Sequence, residues 1–157
     1  MTINVLEAVR RRISPAAVSA AAVRILLVED LPSCQELACA ILMQAGHIVD
    51  IANDGIEAVD AVQANSYDLI LMDIEMPRMD GFTAARRIRD LPGPAGQTPI
   101  VAMTAVAIPE RIRAFQRAGM DGYVAKPFRP EELLFAAVDA SRREARSSKG
   151  AERAEKR

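Results

Sequence analysis

The apolar run at 69–72, Leu-Ile-Leu-Met, stops on a carboxylate, Asp73. The run is too short for a helix. Turn formers close its far side: Pro77 ends regular structure, and Asp80-Gly81 opens a helix with Asp80 as the expected N-cap. Such a run reads as a strand buried on both faces, which belongs in a parallel sheet covered by helices. In an open sheet of that kind the carboxyl ends of the strands form the crevice where ligands bind, so Asp73 stands at a place for chemistry. A polar residue that merely opens a loop would look the same in isolation. The other strand ends decide between the two readings.

Segment 23–28 is a second apolar strand, and it runs into Glu29-Asp30. Pro32-Ser33 opens a helix with Leu37, Ile41, Leu42 and Ala45 at helical spacing, closed by Gly46. Residues 47–52 form a strand, and Asn53-Asp54-Gly55 turns into a helix with Ala58, Val59 and Val62 on one side. Beyond the central stretch come a helix with Phe82, Ala85 and Ile88, then a flexible Leu-Pro-Gly-Pro-Ala-Gly loop at 91–96. Segment 99–103 is the fourth strand and ends in Thr104-Ala105. The helix from about Pro109 carries Ile112 and Phe115 and stops at Gly119. Segment 122–125 is the fifth strand, ending in Lys126-Pro127, and a last helix from about Pro130 buries Leu133, Leu134, Ala137 and Val138. Five strands alternating with five helices specify a parallel α/β sheet covered on both faces, because right-handed crossovers put the helices there. Four strand ends therefore deliver reactive groups to one edge: Glu29-Asp30, Asp73, Thr104 and Lys126.

Three carboxylates in one crevice repel one another unless a hard divalent cation binds through their oxygens. Magnesium suits the set, since it takes one or two protein carboxylates and keeps room for a phosphoryl oxygen. An ammonium from Lys126 and a hydroxyl from Thr104 would hold the remaining phosphoryl oxygens, and Ala105 is small enough to leave access. Asp73 is the carboxylate best placed to attack phosphorus, and the product would be an aspartyl phosphate.

Charge distribution narrows the partners. Residues 25–140 hold nine basic and seventeen acidic residues, net −8, whereas 1–24 is net +3 and 141–157 is net +4. An acidic core argues against a nucleic-acid surface, where phosphate contacts supply the affinity. Residues 1–22 read as an arm with a short amphipathic helix around Ile3, Leu6, Val9 and Ile13, broken at Ser14-Pro15; 141–157 reads as a charged, disordered tail. Cys34 and Cys39 are expected as reduced, mostly buried thiols, and the lone His47 as a surface or capping residue. With no membrane-length apolar run and no signal sequence at Met1, the expected setting is the cytosol.

Four motifs carry a family resemblance: Val28-Glu29-Asp30, the stretch from Asp73 through Asp80-Gly81 (Asp-Ile-Glu-Met-Pro-Arg-Met-Asp-Gly), Met103-Thr104-Ala105, and Gly-Met-Asp-Gly-Tyr-Val-Ala-Lys-Pro-Phe at 119–128. Over about 23–140 the chain resembles a bacterial response-regulator receiver domain, the CheY-like module, with phrasing similar to receivers of hybrid histidine kinases. The resemblance implies a flavodoxin-like, doubly wound sheet of order 2-1-3-4-5. It implies Asp73 as phosphoacceptor, magnesium on Asp30, Asp73 and the Glu75 carbonyl, and Glu29 acting through metal-bound water. Thr104 and Lys126 would contact the phosphoryl group, with Thr104 and the aromatic Tyr123 as the switch. The Lys126-Pro127 bond is expected to be cis.

The partners implied are a histidine kinase or histidine phosphotransfer protein and a downstream protein target, with a homodimer as a further expectation. The seventeen residues after 140 hold no DNA-binding output domain. Two alternatives compete. A phosphoaspartyl hydrolase of the haloacid dehalogenase type would share Asp73-Ile-Glu75, but its nucleophile follows the first strand. A receiver-fold scaffold without phosphorylation would not need all five site residues intact.

Overall fold

The computed structural model describes residues 3–4 and 21–155. Among the described residues, six strands form one parallel sheet: β1 (Ile3–Asn4), β2 (Arg24–Val28), β3 (Ile48–Ala52), β4 (Leu69–Asp73), β5 (Ile100–Thr104) and β6 (Gly122–Ala125), in the order β1-β6-β5-β4-β2-β3. The helices are α1 (Pro32–Gln44), α2 (Gly55–Ala64), α3 (Gly81–Arg89), α4 (Pro109–Arg117) and α5 (Pro130–Glu155), with a 3₁₀ turn at Gly93–Gln97. Apart from β1, the strands keep the expected order 2-1-3-4-5.

Side-chain alternation along the strands divides the core into two layers. Ile25, Leu27, Leu69 and Leu71 face Ala38 and Leu42 of α1 and Leu133 and Ala137 of α5. Leu26, Val28, Ile70 and Met72 face Ala58 and Val62 of α2, Ala84 and Ile88 of α3, and Phe115 of α4. Each of these large side chains, fully buried, stabilises the fold by roughly 1.5–3 kcal/mol relative to exposure. The inner strands β2 and β4 are apolar on both faces for this reason.

Some expectations need correction. Ile3 and Asn4 pair in parallel register with Gly122 and Tyr123, so these two residues are strand and not helix; the rest of the expected arm helix lies outside the described residues. The unpaired outer edge of β6 offers hydrogen-bonding groups that a short extended segment can satisfy. Helix α5 continues to Glu155 through the segment expected to be disordered. Its continuation needs no new nucleus because the helix is already anchored, and 141–155 is rich in helix formers; Arg143 also pairs with Asp139 at 3.1 Å, one turn back. In α1 the buried residues are Ala38 and Leu42, while Leu37 is exposed. Cys34 and Cys39 are free and half-buried.

His47 is buried, and its Nδ1 accepts the backbone N–H of Val23 at 3.2 Å. Burial pulls its pKa below the ordinary value near 6.5. An imidazolium cannot accept that bond, so the unfolded chain binds the proton more readily than the folded one. The stability His47 provides is therefore complete above the unfolded pKa and declines as pH falls from there through the lower folded pKa. His47→Ala is expected to cost about 1–3 kcal/mol by orphaning the Val23 N–H. Urea denaturation of both proteins above and below the ordinary histidine pKa should show the gap between them narrowing on the acid side; a constant gap would mean that His47 does not titrate with folding.

Candidate functional site

All strands run the same way, so the carboxyl ends of β2, β4, β5 and β6 open on one edge. Glu29 and Asp30 follow β2, Asp73 ends β4, Thr104 ends β5, and Lys126 follows β6. Helix α3 starts hard against this edge. The Gly81 N–H donates to the Ile74 carbonyl at 2.9 Å, and a side chain at 81 would run into the Asp73 carbonyl oxygen. Asp80 caps α3 by accepting the Thr83 N–H at 2.8 Å, as the sequence predicts. The loop between β4 and α3 is fastened from the other side by Arg78, which sits at φ 61° and donates through Nε to Asp54 at 2.6 Å. Asp54 in turn caps α2 through the Glu57 N–H at 2.9 Å.

Glu29, Asp30 and Asp73 each present a carboxylate oxygen, and these atoms lie within 4.8 Å of one another. Glu29 and Asp73 are almost fully buried, and Asp30 is half-buried. Lys126 reaches into the group, its Nζ 2.6 Å from Glu29 Oε2 and 3.2 Å from Asp73 Oδ1. The Lys126–Pro127 peptide bond is cis, as expected. Asp73 Oδ1 also accepts the Ile74 N–H at 2.8 Å. Burial, followed by the negative charge of Glu29, pushes the Asp73 pKa up to about 6 against the opposing pull of Lys126. Burial alone would lower the Lys126 pKa, but the hydrogen bond to Glu29 and the charges of Asp73 and Glu29 outweigh it and raise it. One ammonium among three carboxylates leaves excess negative charge. Oxygen-only donors with such an excess fit a hard divalent cation such as magnesium.

Thr104 is buried, and its hydroxyl is engaged with the loop beyond it: Oγ1 donates to the Val106 carbonyl at 3.0 Å and accepts the Val106 N–H at 3.1 Å. Ala105, the residue after Thr104, is exposed. Tyr123 lies opposite Ala102 on the neighbouring strand, already buried, with its ring 6.3 Å from that of Phe115. Phe115 stacks on Phe82 at 5.6 Å. Glu75 points into solvent and is held by Arg111 of α4 at 3.0 Å. The edge thus brings Glu29, Asp30, Asp73 and Lys126 together, with Thr104 at the end of the neighbouring strand β5 and Tyr123 further back along β6.

Arg111 is the residue that the sequence reading passed over. It lines a cavity of about 470 Å³ beside the crevice, together with Asp30, Ile74, Glu75, Asp80 and Phe82. The signal was present in the topology: a helix following a parallel strand begins at the strand's carboxyl edge, so the first turn of α4 had to lie near the site.

These features define a doubly wound α/β domain with an oxygen-rich crevice at its carboxyl edge. A family model, the response regulator receiver domain, matches residues 25–138, and the chain belongs to that family. The two-component response regulator ORR41 of Oryza sativa subsp. japonica is 44% identical over 115 residues, which is 71% of this chain and 88% of that protein. The gliding motility regulatory protein of Myxococcus xanthus is 39% identical over 138 residues, 87% of this chain but 18% of that protein. The chain spans only a small part of such longer relatives, down to 12% for a sensor histidine kinase of Pseudomonas aeruginosa. Among solved structures, the receiver domain of the sensor histidine kinase PA1611 of Pseudomonas aeruginosa, with a magnesium ion coordinated in its active-site cleft, superposes with a TM-score of 0.68 at 39% identity. That match covers 76% of this chain and 99% of that one. Chemotaxis protein CheY4 of Vibrio cholerae gives a TM-score of 0.68 at 34% identity, covering 73% and 94%. Among the described residues, no helix is long and apolar enough to cross a membrane.

Proposed function

We propose that this receiver accepts a phosphoryl group on Asp73 from a phosphohistidine of a histidine kinase or phosphotransfer protein, in a cytoplasmic two-component system or phosphorelay. The observation that carries the reading is the convergence of Glu29, Asp30 and Asp73 oxygens within 4.8 Å, with Lys126 bridging two of them. Asp30, Asp73 and the Glu75 carbonyl would hold magnesium, with Glu29 acting through its water; the ion supplies charge neutralisation for the transferring phosphoryl group. Asp73 supplies the nucleophilic oxygen, and the Ile74 N–H at 2.8 Å keeps it oriented. Lys126 and Thr104 supply charged and neutral donors to the phosphoryl oxygens, and Ala105 leaves the approach open. The chain acts as a signalling acceptor with no small-molecule turnover. Its output is a change of contacts on the face formed by α4, β6 and α5, toward a protein target or a second copy.

Incubation with a phosphorylated histidine kinase, or with acetyl phosphate, in the presence of magnesium should add one phosphate by intact mass. Chelation of the metal should abolish the addition. Undiminished labelling in chelator would remove the metal from the reading, and no labelling from any donor would overturn it.

A further inference from the structure

The cavity beside the crevice shares Asp30 with the acidic group and Ile74 with the residue following Asp73. Its walls bring three acidic side chains, Asp30, Glu75 and Asp80, and among the described residues that line it Arg111 is the only cation. Arg111 is held in place without being used up. Its guanidinium carbon lies 5.8 Å from the centre of the Phe82 ring, which Phe115 braces from behind. One nitrogen donates to Glu75 at 3.0 Å, while Nε is buried with no hydrogen-bond partner among the described residues. The Glu75 side chain is 82% exposed, so it can turn back to water at little cost when a stronger anion takes its place. Lys126, by contrast, is committed to Glu29 and Asp73.

We infer that Arg111 is a specificity-determining residue for small phosphodonors, receiving the carboxylate that leaves when an acyl phosphate transfers its phosphoryl group. The inference rests on Asp73 being the acceptor. In that step an Asp73 carboxylate oxygen forms a bond to phosphorus, and the phosphorus–oxygen bond to the acyl group breaks with its electron pair, so a carboxylate departs and no proton is required. Negative charge grows on the leaving oxygen, and a guanidinium is the donor best shaped to pair with a carboxylate. Phosphoramidate provides the contrast. Its phosphorus–nitrogen bond breaks to release neutral ammonia, the nitrogen already carrying the protons, and this leaving group makes no demand on a cation.

The test compares initial rates of phosphate addition, read by intact mass with magnesium, for acetyl phosphate and phosphoramidate at sub-saturating donor. Arg111→Ala is expected to slow acetyl phosphate about tenfold, the effect of losing one charged hydrogen bond, and phosphoramidate much less. Arg111→Lys should fall between, keeping charge but not the planar fork. Glu75→Gln should speed acetyl phosphate in the wild-type background and have no such effect with Arg111→Ala. Equal losses with both donors, or no loss with either, would overturn the inference while leaving Asp73 as acceptor intact. Failure of the wild-type chain to take phosphate from either donor would overturn both. The phosphoramidate arm measures the same folded variant, so a general folding defect appears as an equal loss.

Discussion

Asp73→Asn is expected to take up no phosphate from a kinase, a phosphotransfer protein or acetyl phosphate, while keeping the fold. The amide oxygen of asparagine is a poor nucleophile, so the covalent step is lost outright. The amide can still accept the Ile74 N–H that now binds Asp73 Oδ1, and Lys126 keeps its 2.6 Å contact with Glu29. The substitution also removes a carboxylate whose burial, followed by the negative charge of Glu29, holds the Asp73 pKa up at about 6. A carboxylate that the fold makes harder to ionise is a cost to folding at neutral pH. The variant should therefore melt at a higher temperature than the wild-type chain in chelator at neutral pH. Intact mass and a melting curve on the same sample check both halves. Undiminished labelling would mean that another carboxylate, Asp30 first, is the acceptor, and a lower melting temperature would mean that Asp73 is structural.

The site was legible because each strand ends where its apolar run ends, and a parallel sheet puts those ends together. Leu-Ile-Leu-Met before Asp73 fixes both the burial of β4 and the position of the carboxylate at its tip. What the sequence concealed depends on partners far along the chain. His47 looks like a polar residue at a strand start until Val23, twenty-four positions earlier, brings its N–H to the ring. Leu37 fits the helical spacing of α1, yet it is 54% exposed, because small Ala38 and Leu42 already fill the space over β2 and β4. Arg89 reads as a charged last-turn residue of α3, but its guanidinium ties together the Gly96, Thr98 and Gly119 carbonyls and Asp121. The continuation of α5 was missed for a different reason: a helix propagated from an anchored segment requires no apolar face of its own.

Thr104→Ala is expected to accept phosphate but to lose most of its response. In the structure the Thr104 hydroxyl closes a local turn on Val106, donating at 3.0 Å and accepting at 3.1 Å. A phosphoryl oxygen on Asp73 offers that hydroxyl a charged acceptor, and a hydrogen bond to a charged group is worth about 1.5–3 kcal/mol against about 1 for the neutral one it replaces. That difference is the free energy available to shift the loop carrying Val106 and Ile108, both exposed beside the crevice. The Tyr123 side chain is the group next in line along the sheet. Its ring is already inside, against Phe115, so the movement open to it is a shift along the sheet toward the position Thr104 gives up. Such a shift would be passed to α4 through Phe115 and to the outer edge of β6, where Asn4 pairs with Tyr123. With alanine at 104 the phosphoryl group keeps Lys126 but has no hold on the loop, and the population of the responsive state should drop roughly tenfold. Partner binding or self-association measured with and without beryllofluoride, for the wild-type chain, Thr104→Ala and Tyr123→Ala, reads this directly. An undiminished response in both variants would show that the signal leaves by another route, and the Arg111–Glu75 contact beside the crevice would be the next one to cut.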